Sequence, residues 1–253
     1  MPNIDLNSDL GESFGPWQMG DDTSMLGIVS SANIACGGHA SDPDTMFKTI
    51  QLAAENGVSI GAHPGFADKA AFGRRLLPMS AAEVENLIAS QVGALTGIAN
   101  LAGASVRYVK AHGALANWAA ATPGIAQAIA SAVKKTAPDC ALLAISGTEL
   151  EKAGLQYELA TYSEVFADRA YQTNGQLVPR NVEGAVIHDA QQACDRLIQF
   201  LETGNMPTID GNTVKLKAES ICIHGDNPAA VAMAKTIRQQ LEKNGYAVTP
   251  FAT

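Results

Sequence analysis

SICIHGDNP (220–228) runs from alternating small and branched residues through a histidine into a turn and an Asn-Pro helix start. Side chains alternate faces along a strand, so Ser220, Cys222 and His224 share one face and Ile221 and Ile223 the other. The same sorting recurs upstream. In SSANIACGGH (30–39) the face of His39 carries Ser31, Asn33, Ala35 and Gly37, against Ile34 and Cys36; the glycine pair before His39 loosens the alternation there. In VSIGAH (58–63) His63 shares its face with Ser59 and Gly61, against Val58, Ile60 and Ala62. Near the start Asp5, Asn7 and Asp9 oppose Ile4, Leu6 and Leu10, and further on Tyr108, Lys110 and His112 fall together. Four of the five histidines thus follow a short apolar run; His188, the fifth, reads as a cap or surface residue.

These runs alternate with helical patterns, which is the signature of βα units and a parallel sheet. The strands are expected at NIDLNS (3–8), SANIAC (31–36), VSIGAH (58–63), SVRYVKA (105–111), CALLAIS (140–146), YELATYSEVF (157–166) and ESICIH (219–224). Helix starts punctuate them. Ser80 to Glu83 reads as a capping box, and the helix after it spaces Val84, Leu87, Ile88, Val92, Leu95 and Ile98 on one face, with Gln91 a polar exception. Asp42-Pro43, Thr122-Pro123 and Asn227-Pro228 each place a capping side chain before a proline. The last helix is expected to end near Asn244-Gly245.

In a parallel barrel the outward face packs on helices and is branched and apolar, while inward residues near the C-terminal rim line the site. The small and polar parity is therefore inward. An open doubly wound sheet would spread the strand ends along a line; seven strands with polar inward faces favour closure. The expected fold is α/β, one (β/α) barrel of about seven parallel strands spanning residues 1–253 as a single domain, with no linker-like stretch to divide it.

Composition narrows the function. A formal charge of −8 opposes a nucleic-acid or anionic-membrane partner. No apolar run reaches the roughly 18 residues of a membrane span, and the N-terminus lacks a signal-peptide pattern. Cys36, Cys140, Cys194 and Cys222 form no C-x-x-C pair. A reducing, cytoplasmic location is expected.

The inward parity gathers Asp9, Glu12, Lys110, His39, His63, His112 and His224 at one rim, and the long irregular stretch 166–189 adds Arg169 and Arg180 as part of a functional loop or lid. No G-x-S-x-G elbow is present, and no cysteine is placed as a thiolate nucleophile. General acid/base chemistry with electrostatic stabilisation fits these residue types. Histidines with a carboxylate also leave a divalent metal open, although no H-E-x-x-H spacing fixes its ligands. No phosphate-binding G-x-x-x-x-G-K-[ST] loop occurs; capped helix starts after His39 or His224 are the places where a phosphate could sit.

The segments DLNSDLGESFG, SANIACGGHASD, IGAHPGFAD with FGRR after it, VKAHGALAN, EVFADRAYQTNGQLVPR and ICIHGDNP together resemble the LamB/YcsF family over essentially the whole chain. The resemblance implies a barrel related to the glycoside hydrolase/deacetylase superfamily. It implies ATP-dependent opening of the 5-oxoproline lactam to L-glutamate, with ATP as co-substrate and partner subunits B and C. On that footing Asp9 or Glu12 is expected to act as base for water. Lys110 with a histidine, His39 or His63, would stabilise the developing oxyanion. Arg169 or Arg180 would hold a carboxylate or phosphate, with Asn7, His112 and His224 also contacting substrate. Two rival expectations are a stand-alone metal-dependent amide hydrolase or deacetylase, and a non-catalytic scaffold for the other chains.

Overall fold

Strand β1 (Asn3–Leu10) buries Ile4, Leu6 and Leu10 on one side and Asp5 and Asn7 on the other, so both of its faces are interior. A computed structural model describing residues 1–253 shows why. The strands β1, β2 (Ser31–Ala35), β3 (Ser59–His63), β4 (Tyr108–Val109), β5 (Ala141–Ile145) and β6 (Thr161–Phe166) pair in chain order, all parallel. After an antiparallel hairpin, β7 (Asn205–Pro207) and β8 (Thr213–Lys215), strand β9 (Ser220–Cys222) pairs with both β6 and β1. The sheet is a closed seven-stranded barrel. A short β10 (Ala247–Val248) lies beside the start of β1.

Around it run α1 (Asp22–Leu26), α2 (Pro43–Glu55), α3 (Ala81–Leu101), α4 (Gly113–Ala121), α5 (Pro123–Thr136), α6 (Glu149–Gln156), α7 (Ala190–Thr203) and α8 (Pro228–Lys243). The outward strand residues join these helices in one apolar layer of 53 buried residues. No helix is long and apolar enough to cross a membrane. The Ser80–Glu83 capping box forms, and Asp42 and Asn227 cap α2 and α8. Thr122 does not: its side chain makes no capping hydrogen bond, and the preceding helix runs directly into it. Gln91, the polar residue on the buried face of α3, accepts from Gly65 N and donates to Gly65 O, tying the loop after β3 to that helix.

The expected strand at 157–166 starts only at Thr161, because α6 extends to Gln156 and Glu158 turns the chain through a left-handed conformation, φ 53°. The expected strand at 105–111 shortens to two residues. Its ladder with the β3 segment nevertheless continues, since Lys110 N donates to Ala62 O and His112 N to Pro64 O. Those two bonds set the height of Lys110 and His112.

The barrel interior is layered. At its floor Phe251 packs on Tyr108 and Tyr162, with ring centroids 4.8 and 4.9 Å away. Gly61 stands level with Tyr108, and a β-carbon there would fall 2.2 Å from the tyrosine ring. Above the floor lies a polar belt. Asp5 accepts from the hydroxyls of Ser30, Ser31 and Ser220, and burial, softened by those hydroxyls, raises its carboxyl to about 6. Asn7 donates to Ser220, and Asn33 donates to Asn7 Oδ1. This belt meets the rule that buried polar groups find partners, and it orients what lies above.

Candidate active site

Lys110, the residue after β4, rises into the centre of the barrel mouth and is almost wholly buried. Its Nζ lies 2.8 Å from Glu164 Oε1 and 3.2 Å from Asp9 Oδ1, and donates to Asn7 Oδ1 (3.0 Å) and Cys222 Sγ (3.2 Å). Burial opposes its charge, yet Asp9, Cys222 and Glu164 outweigh that and hold it well above the ordinary lysine value. Asp9 mirrors it. Burial would raise its carboxyl, but His63 and Lys110 hold it well below the ordinary carboxylate range. All of Asp9's protein partners reach Oδ1: Asn33 Nδ2 at 2.8 Å, Lys110 Nζ, and His63 Nε2 at 3.2 Å. Its other oxygen is left for the cavity.

A cavity of about 470 Å³ opens above this pair, lined by residues from Asp9 and Glu12 across His63 and His112 to Arg180 and His224. One wall is imidazole. His39 and His112 stack face to face, centroids 3.6 Å apart and planes 4° apart, and His63 stands at 86–90° to both. His39 Nε2 meets Glu12 Oε1 at 3.2 Å. Burial first, then neighbouring imidazoles, pushes His39 and His112 well below the ordinary histidine value; burial first, then Asp9, raises Glu12. The stack fits because two glycines pass beside it. A β-carbon on Gly65 would lie 2.8 Å from His39 Nδ1, and one on Gly73 2.7 Å from His39 Cβ. Phe72 holds a left-handed φ of 55° and sets its ring edge-on to both histidines, a strained arrangement that costs about 1–3 kcal/mol and is retained where a site demands it.

The opposite wall is ion-paired. His224 Nδ1 donates to Asp168 Oδ2 at 2.7 Å. Burial disfavours its charge, but Asp168 outweighs burial and raises His224 above the ordinary value, while His224 in turn lowers Asp168. The imidazolium's second N–H remains for a ligand.

Asp9, Glu12, Lys110, His63, His112 and His224 therefore converge as expected. Three candidates sit differently. His39 is buried behind His112 and does not line the cavity. Asn7 lies fully buried beneath Lys110, its amide engaged by Asn33, Lys110 and Ser220, so it supports the lysine from below and does not line the cavity. Arg169 lines the cavity, but its guanidinium donates to Val178 O and Ala185 O, bracing the long loop; of the two expected arginines only Arg180 is an exposed cation at the mouth. Sequence reasoning missed Glu164, Asp168, Phe72, Arg74 and the lysine contact of Cys222. Glu164 was within reach, because it shares the inward parity of Tyr162 and Phe166.

Glu12, His39, His63 and His112 bring one ligand atom each within 4.8 Å of one another, as do Asp9, Cys222 and His224. In the second group the ammonium of Lys110 already supplies the cation.

Residues 4–253 match the LamB/YcsF family. The chain belongs to that family. A Nitrobacter hamburgensis relative, named as the A subunit of 5-oxoprolinase, is 50% identical over 251 residues, covering 99% of this chain and 98% of the relative. Among solved structures, the lactam utilization protein of Thermus thermophilus is 38% identical, with a TM-score of 0.92 over 98% of this chain and 100% of that one. The catalytic domain of a peptidoglycan N-acetylglucosamine deacetylase from Eubacterium rectale, 13% identical over 99% of this chain and 88% of that one, has a TM-score of 0.52 and so shares the barrel fold alone.

Proposed function

We propose that this LamB/YcsF protein is the A component of a 5-oxoprolinase, opening the 5-oxoproline lactam to L-glutamate with ATP as co-substrate and subunits B and C as its partners. The observation that carries the reading is the buried Lys110, clamped between Asp9 and Glu164 at the base of a deep cavity. An unstrained lactam resists water, and phosphorylating its amide oxygen turns that oxygen into a leaving group. Water then adds to the carbonyl carbon, the ring C–N bond breaks with a proton delivered to nitrogen, and a second water releases inorganic phosphate from the resulting acyl phosphate to leave L-glutamate.

This chain supplies the groups those events need. The free oxygen of Asp9 orients water and takes its proton. Lys110 stabilises negative charge growing on the substrate oxygen, in a dry setting where such stabilisation is strongest. His224, whose protonated form Asp168 favours, is placed to give its proton to the departing nitrogen. Arg180 at the mouth suits a carboxylate or phosphate. A docking scaffold has no need for a buried charge cluster of this kind, whose assembly costs desolvation.

The test is reconstitution: the purified chain is mixed with its partner subunits and glutamate release from 5-oxoproline is followed with and without ATP. Turnover needing ATP and all of the partners, and lost in Lys110→Met, supports the proposal. Amide hydrolysis by the isolated chain without ATP would instead establish the stand-alone hydrolase.

A further inference from the structure

We propose that Glu12, His63 and His112 form a binding site for one divalent first-row transition ion on the imidazole wall of the cavity, with His39 as the residue that positions Glu12. Three ring nitrogens in this cluster, His39 Nδ1, His63 Nε2 and His112 Nδ1, are buried without a hydrogen-bond partner. An unsatisfied buried polar atom costs about 1–3 kcal/mol; of the seven such side-chain atoms in the chain three fall together in this one cluster, which calls for a missing partner.

The hydrogen bonds around the cluster say which kind. His63 Nδ1 faces the carbonyl of Lys110 at 2.7 Å, and a carbonyl only accepts, so Nδ1 carries a proton and Nε2 is the nitrogen left to ligate. His63 Nε2 lies 3.2 Å from Asp9 Oδ1 without hydrogen-bond geometry, a contact that a bound cation would replace. Tying one imidazole nitrogen to a backbone carbonyl while freeing the other is how metal-binding histidines are held. Glu12 has its own support in His39 Nε2.

The stack decides the ligand set. Imidazole lone pairs lie in the ring plane, and the planes of His39 and His112 are parallel within 4° at 3.6 Å. An ion in one plane is far out of the other, so only one ring of the two ligates. His112 lines the cavity with Glu12 and His63, and His39 does not. Two imidazoles and a carboxylate suit zinc, cobalt or nickel, and the ion would keep a position open to the cavity.

This site is a property of the single chain and is tested without turnover, so it stands or falls apart from the lactam reading. The full-length chain is stripped with a chelator and titrated with Co²⁺, following visible d–d absorption, then with Zn²⁺ in competition. One saturable Co²⁺ per chain, displaced by Zn²⁺, is expected, with affinity lowered about 100-fold or more in Glu12→Gln, His63→Ala and His112→Ala and about 10-fold in His39→Ala. His188→Ala, an exposed histidine elsewhere, should leave binding unchanged. Absence of saturable binding in the wild-type chain overturns the proposal even where a variant fails to fold. So does binding that persists at full strength in folded Glu12→Gln and His63→Ala.

Discussion

His224 and His112 both follow barrel strands on the inward parity, yet His224 donates to Asp168 at 2.7 Å while His112 keeps a buried Nδ1 with no partner. The two stand on opposite walls of one cavity. Strand parity brings both to the rim, but the loops determine their state. The loop after β6 supplies Asp168, a fixed charge that favours the protonated form of one imidazole. The loop after β3 supplies Gly65, Gly73 and Phe72, which give room and an aromatic edge but no hydrogen bond. One wall is built to give up a proton, the other to offer lone pairs.

The largest effect is expected where the ion-paired side is broken at its centre. Lys110→Met leaves Asp9 and Glu164 buried without their cation and should lower unfolding free energy by about 3–5 kcal/mol, read by urea denaturation. Adding Glu164→Gln should restore part of that stability and none of the turnover. Equal stability of the single variant and the wild type would mean the lysine is not the keystone of this wall.

Next comes the His224 pair. Because Asp168 raises His224 above its ordinary value, its charged form is fully present below about 6.5 and is lost as pH rises through the raised value. Activity of the assembled enzyme should fall along that alkaline limb. Asp168→Asn leaves burial opposed only by the weaker pull of Asp9 and Asp226, so the limb should move to lower pH and turnover drop about 100-fold. A limb that stays in place would assign the titration to another group and make the two walls more alike than the structure shows.

The smallest change tests the imidazole wall by crowding it. Gly73→Ala meets a φ of 60° and places a methyl 2.7 Å from His39 Cβ and 2.9 Å from His112 Nδ1. A loss of about 1–3 kcal/mol is expected in thermal or urea melts. Tolerance of the alanine would show that the stack has slack.

Parity was enough to foresee the barrel, because strands with two buried faces still separate Ile221 and Ile223 from Ser220, Cys222 and His224. Placing Lys110 beside Asp9 followed from the same alternation. Partners drawn from loops were beyond it. Nothing local to the 166–189 stretch distinguishes Asp168, which meets His224, from Arg169, which turns back to brace its own loop. Asn7 shares the parity of Asp9 but sits one layer lower, and parity carries no depth; depth comes from register, in which Asn7 stands level with Cys222 and Asp9 with Asn33.

The ring is sealed by β9 against β1, through contacts such as that between Ser220 and Asp5, 215 residues apart. During synthesis β1 therefore leaves the ribosome long before its closing neighbour and waits as an unpaired edge, the kind of surface that invites pairing with other chains. Closing so long a loop is entropically costly, and non-local pairing of this kind slows folding. Cys222 on β9 joins Asp9 on β1 and Lys110 beyond β4 only at that final step, so a complete centre is itself a sign that the ring has closed.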